Sequence, residues 1–164
     1  MENTNIIHSS FKHGKNLKIG HYNVIEDGVE VGDNVTIGNF CEIKNDIKIG
    51  NNVILQGKIK IASNTVIEDD CTLKYGTILT NKVLVKKNVF MGPNTITLGG
   101  IHTREAIYGT IIGENCYIGA GSQIAANTKI CDDVVLGTFT FVNKDIIEPG
   151  IYVGVPAKFL KENK

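Results

Sequence analysis

The chain has 164 residues, enough for one domain. Its 17 Lys and Arg balance 17 Asp and Glu, which argues against a surface that holds nucleic acid through net positive charge. With 42% hydrophobic and 21% charged residues the composition is globular and not disordered, but 18 Gly beside no Trp require an explanation.

The N-terminal run MENTNIIHSSFKHG has no apolar core behind a basic start, so it does not read as a secretory signal. No stretch reaches the ~18 apolar residues of a membrane helix. Cys41, Cys71, Cys116 and Cys131 form no CxxC pair, and free thiols in a reducing, cytoplasmic setting are expected.

From Ile7 onward the sequence repeats every six residues. Ile7, His13, Ile19, Ile25, Val31, Ile37 and the positions that follow to Met91 are aliphatic or Met in fourteen of fifteen hexads. No helix keeps an apolar stripe at a strict period of six. Nine of the 18 glycines occupy the second position, and the fourth is Asn, Asp or Gly in fifteen of twenty-one hexads. Those three residues tolerate positive φ, so the fourth position reads as a left-handed turn. The fifth position is mostly compact and lies two residues before the next aliphatic one, on the same strand face. Each hexad is therefore a short strand with two inward residues and a tight turn, which gives a parallel β-solenoid. Three hexads per coil predict about seven coils: five over residues 7–96, and two over 112–147. Cys41, Cys71 and Cys116 fall at the inward fifth position and read as packing residues.

The frame breaks from Thr97 to Ile111, and breaks in solenoids are where loops carry function. Of the four histidines only His102 lies there. An imidazole, with a free pKa of about 6.5, can take a proton near neutral pH. Gly99 and Gly100 are expected to let this loop turn. His8 and His21 are expected to face solvent, and His13 to sit at an inward position. Their three different phases do not suit a metal site. After the last hexad, residues 148–164 form a short closing segment.

Hexads of the form Ile/Leu/Val-Gly-x-x-small-x resemble those of the hexapeptide-repeat acyltransferases, whose fold is the left-handed parallel β-helix. The likeness covers residues 7–158. Ile118-Gly119-Ala120-Gly121-Ser122-Gln123-Ile124 is similar to the late coil that faces acetyl-coenzyme A in that family. Asn143-Lys144-Asp145-Ile146 and Val153-Gly154-Val155-Pro156-Ala157-Lys158 are similar to its closing signature. Asn88-Val89-Phe90-Met91-Gly92-Pro93 resembles the stretch before the active-site loop of small nucleotide-sugar N-acetyltransferases. Thr97-Leu98-Gly99-Gly100 departs from that group and resembles serine O-acetyltransferases instead.

The resemblance implies one all-β domain over residues 1–164, a left-handed hand that periodicity does not fix, and acetyl transfer from acetyl-CoA to the amino group of a nucleotide-linked amino sugar. It implies a homotrimer with sites between subunits, and neither a nucleic acid nor a membrane as partner. Such a reaction needs a base, an oxyanion donor and a scaffold that holds both substrates. His102 is the candidate base. Gly119, Ala120, Ala125, Gly137 and Thr138 are candidates for the pantetheine groove, and Lys144 and Lys158 for the phosphates of the coenzyme. Arg104 is suited to an acceptor phosphate or carboxylate, and Glu105 to the acceptor or to orienting the imidazole. O-acetylation is the alternative reaction. A carbonic-anhydrase-like metalloenzyme and a non-catalytic scaffold are the more distant readings.

Overall fold

In the computed structural model, which describes residues 4–99 and 109–163, the hexads wind into a triangular solenoid. Its first face stacks eight parallel strands from Ile6–Ile7 to Phe141–Val142, its second seven from Lys12–His13 to Lys129–Ile130, and its third nine from Lys18–Ile19 onward. The third face ends in an antiparallel pair, Gly150–Val153 with Lys158–Lys161, which closes the C-terminal end.

The turn chemistry explains the corners. All sixteen described non-glycine residues with positive φ occupy the fourth hexad position, and Gly28, Gly76 and Gly121 join them there. The position imposes its conformation even on Tyr22, Phe40, Lys58, Lys82 and Phe139. At the corner between the second and third faces, asparagines in this conformation form a ladder. Asn16 Nδ2 donates to Asn34, Asn34 to Asn52 and Asn52 to Asp70 at 2.9–3.1 Å, and Asn88 and Asn115 continue it to Asp133.

The inward first and fifth positions build the core. Ile37, Val53, Leu55, Leu73, Met91, Ile118 and Leu136 are among the residues fully buried in one continuous column. Each such aliphatic side chain contributes roughly 1.5–3 kcal/mol of burial. Cys41, Cys71 and Cys116 lie in it as small fillers. Burial pushes the Cys71 thiol up to about 11 and that of Cys116 up to about 12. The first coil has no coil beneath it, so Ile7 stays 37% exposed and His13 is exposed despite its inward phase.

The break in the repeat differs from its sequence reading in one respect. Thr97 is still in frame: it is fully buried and pairs with Ile124 on the first face. Rungs within the regular coils join residues 18 apart, such as Ile67 with Val85, whereas Val85 pairs with Ile112, 27 residues on. Nine residues are thus inserted into one corner of the sixth coil, and the solenoid runs through it unbroken. That coil and the closing strands bring the count to eight turns, against about seven from the hexad sum.

Candidate functional site

The insertion leaves and re-enters the solenoid at the corner between the first and second faces. Its described feet are Leu98–Gly99 and Gly109–Thr110. His102, Arg104 and Glu105 lie between those feet, outside the described residues.

A groove of about 410 Å³ follows this corner from the third coil to the seventh. Ile61, Ile78, Leu79 and Leu98 form its apolar floor, Thr80, Asn81 and Lys82 its rim, and Gly99, Gly109, Thr110 and Ala126 its upper end. Lys44 and Lys60 enter from below, held by Glu26 at 2.5 Å and Glu42 at 3.2 Å. The bond to Glu26 raises the Lys44 ammonium above its ordinary value. Lys82 is exposed at the rim and has no ion pair among the described residues.

The two feet differ in what they demand. A Cβ on Gly109 would lie 1.4 Å from the Lys82 carbonyl oxygen, so only glycine can enter here. Among the described residues, a Cβ on Gly99 would meet nothing closer than Thr80 Cγ2 at 3.8 Å. The sterically required glycine is therefore Gly109, which hexad spacing does not single out.

The candidates for coenzyme binding separate into two groups. Gly119, Ala120, Gly137 and Thr138 stack at the corner between the third and first faces. Gly119 is buried there, and a Cβ on it would stand 2.6 Å from the backbone carbon of Gly137, so coil stacking alone accounts for this glycine. Ala125 and Lys144 lie at the insertion's own corner, on the far side of the first face. Lys144 follows Phe141–Val142 as Ala126 follows Gln123–Ile124 one coil below. Lys144 and Lys158 line a second cleft of about 420 Å³ with Ile147, Tyr152 and Phe159. Tyr152 and Phe159 meet edge-on at 5.5 Å, and the Tyr152 hydroxyl donates to the Glu148 carbonyl at 2.9 Å. The insertion's corner thus carries, upward, the groove with the insertion's feet, the small Ala125 and Ala126, and then Lys144, while Lys158, paired with Val153 on the third face, enters the same cleft from the opposite side. A strand spacing of roughly 4.8 Å puts Lys144 about 10 Å above the feet.

His8, His13 and His21 belong to the first coil and point to different sides: His8 contacts Ser10 and Asp27, His13 the Gly14 carbonyl, and His21 Thr4. Among the described residues no group of three His, Cys, Asp or Glu could hold a metal ion. Among the same residues no helix is long and apolar enough to cross a membrane.

Comparison with known proteins agrees with the repeat. The bacterial transferase hexapeptide (six repeats) family matches residues 12–45 and 109–144. UDP-3-O-acylglucosamine N-acyltransferase of Bordetella avium is 34% identical over 80 residues, which is 49% of this chain and 21% of that protein. The chain thus matches about a fifth of the length of that relative. Among solved structures, the UDP-N-acetylglucosamine O-acyltransferase of Moraxella catarrhalis superposes with a TM-score of 0.71 at 21% identity, over 99% of this chain and 74% of that one. The acetyltransferase domain of PglB from Neisseria gonorrhoeae, in complex with acetyl coenzyme A, superposes with a TM-score of 0.55 at 19% identity, over 96% and 58%. The solenoid accordingly has the left-handed β-helix fold.

Proposed function

We propose that this chain, whose repeats match the bacterial transferase hexapeptide family over residues 12–45 and 109–144, is an acetyl-CoA-dependent transferase that acetylates the amino group of a nucleotide-linked amino sugar. The observation that carries this reading is the order of features up the insertion's corner: groove, feet of the insertion, small residues, and Lys144 at the edge of a terminal cleft that Lys158 also lines. The reacting thioester belongs at the insertion, where His102 is within the inserted segment. The pantetheine arm would pass Ala125 and Ala126, which keep the wall low. Lys144 and Lys158 would meet the phosphates as point charges. Gly119, Ala120, Gly137 and Thr138 flank the other edge of the same face and take the coenzyme there if it crosses the first face.

The acceptor would occupy the groove below the insertion. Its apolar floor suits a deoxysugar ring, and Lys82 suits a phosphate. Names of matched relatives that act on UDP-linked sugars support this class of acceptor. Arg104 would hold an acceptor anion, and Glu105 would orient the base or the acceptor. The amine attacks the thioester carbonyl carbon, His102 takes the amine proton, and the tetrahedral oxyanion collapses to the amide with loss of the coenzyme A thiolate. Proximity contributes most, since two substrates held in one rigid cleft react as one molecule. We further propose a homotrimer in which His102 of one subunit serves coenzyme held partly by a neighbour, within a single domain over residues 1–164 in the cytoplasm.

The test is thiol release from acetyl-CoA across UDP- and dTDP-linked amino sugars and their hydroxyl counterparts, with His102→Ala in parallel. Turnover with an amino sugar that falls at least a hundredfold in the variant is expected. Turnover with hydroxyl acceptors alone would replace N- by O-acetylation, and full activity in His102→Ala would remove the base. Light scattering that gives a fully active monomer would remove the shared site.

A further inference from the structure

Along the insertion's corner the backbone forms one regular set of rungs. The N–H after each first-face strand donates to the carbonyl of the strand's last residue one coil on: His8 to Ile25, Glu26 to Ile43, Lys44 to Ile61 and Ala62 to Leu79, all at 2.8–3.0 Å. Above the insertion Leu98 donates to Ile124 and Ala125 to Val142, each at 2.8 Å. One rung is different. The Thr80 N–H donates at 2.8 Å to the side-chain Oγ1 of Thr97. The register agrees, since Ile78 pairs with Ile96 but Leu79 and Thr97 do not pair.

The two hydroxyls continue the substitution. Thr97 Oγ1 lies 3.1 Å from Thr80 Oγ1, and Thr80 Oγ1 donates to the Leu98 carbonyl at 3.3 Å. A consistent set of donors follows: Thr80 N–H to Thr97 Oγ1, Thr97 O–H to Thr80 Oγ1, and Thr80 O–H to Leu98 O. Thr97 is fully buried at a position that is otherwise aliphatic in this column. A hydroxyl there costs burial energy unless it is bonded; besides a long contact to the Ile78 carbonyl at 3.5 Å, its bonds go to the insertion's root. An aliphatic residue would fill the space equally well but could not accept the Thr80 N–H once the backbone has turned away.

We propose that Thr97 and Thr80 are positioning residues that fix the direction in which the chain leaves the solenoid toward His102. Thr97 supplies the missing rung from its side chain, so the backbone departs without stranding the half-buried Thr80 N–H. Thr80 ties the departing strand back at Leu98 and presents its own edge to the groove. Gly109, pressed on the Lys82 carbonyl, clamps the returning strand to the same corner of the fifth coil. Both feet thus rest on residues 80–82, which stiffens the insertion's base. The catalytic part of this inference rests on the acyl-transfer reading; the structural part does not.

The test compares Thr97→Val, which keeps shape and loses the hydroxyl, with Thr97→Ser, which keeps the hydroxyl. In Thr97→Val, kcat is expected to fall about tenfold or more through misplacement of the base, with KM for acetyl-CoA within about twofold. In Thr97→Ser both constants are expected within about twofold of the parent. Deuterium exchange of a peptide that contains Thr80 is expected to speed up in Thr97→Val and not in Thr97→Ser. Unchanged kcat in Thr97→Val, or an equal loss in Thr97→Ser, overturns the proposal. If the parent protein transfers no acyl group, the acyl-transfer reading fails, and exchange at Thr80 alone decides for or against the substituted rung. If Thr97→Val does not fold, Thr80→Val removes the hydroxyl that accepts from Thr97 and reaches Leu98 but keeps the Thr80 N–H rung; a kcat about threefold lower supports the proposal and an unchanged one overturns it.

Discussion

Asn52 offers a direct test of the turn that builds this solenoid. Its φ is 57°, and it stands mid-ladder, accepting from Asn34 Nδ2 at 3.1 Å and donating to Asp70 Oδ1 at 2.9 Å. Replacement by Ala puts a residue with a Cβ and no compensating side-chain bond into the left-handed region, at a cost of about 1–2 kcal/mol. Loss of two solvent-exposed ladder bonds adds about 0.5 kcal/mol each, the low end for a hydrogen bond. Asn52→Gly loses the same two bonds and escapes the steric cost, but its freer unfolded chain costs about 0.4–1 kcal/mol. Asn52→Ala is therefore expected to be the less stable of the two by about 1 kcal/mol, which corresponds to roughly 2–4 °C in Tm for a chain of this size. In a helix or a regular strand the order reverses, because Gly there is the worse residue by about 0.5–1 kcal/mol. Scanning calorimetry of the two variants decides the matter by sign. Asn52→Gly melting below Asn52→Ala would refute the left-handed turn as the element that fixes the hexad.

Gly109→Ala is expected to abolish most acyl transfer and lower Tm, because its Cβ would overlap the Lys82 carbonyl, whereas Gly99→Ala, with 3.8 Å of clearance, leaves both unchanged; turnover and melting of the pair check this. Stability should fall as pH rises from about 9, where an unfolded thiol ionises, toward the folded values of about 11 for Cys71 and about 12 for Cys116. Neutral thiols are favoured only in the folded chain, so each contributes a loss of about 1.4 kcal/mol per pH unit in that window. Urea titrations of the parent and of Cys71→Ala/Cys116→Ala measure it, with a flatter profile expected in the double variant. Lys144→Ala/Lys158→Ala should raise KM for acetyl-CoA about tenfold with little change in kcat, and the difference should shrink in high salt.

The parts of this molecule that are legible in the sequence are those set by strictly local rules. A left-handed residue every sixth position and an aliphatic residue every sixth position are conditions each hexad meets alone, so Asn34, Asn52 and Asp133 identify their corners without reference to anything distant. The site is different in kind, because it depends on which corners stack. Gly119 and Ala125 are six residues apart in sequence yet stand on opposite edges of one face, whereas Ala126 and Lys144, a full coil apart, are neighbours. The same holds for Thr80: its meaning comes from Thr97 above it, and nothing in either hexad by itself marks the pair. One local signal was present. Thr97 is a hydroxyl in an aliphatic column, and a buried hydroxyl needs a partner. The same reasoning separates the two loop glycines, since the need for glycine at position 109 comes from the carbonyl of Lys82, a residue of the preceding coil. In a solenoid the core follows from the period, and chemistry is to be sought where one residue breaks the column it stands in.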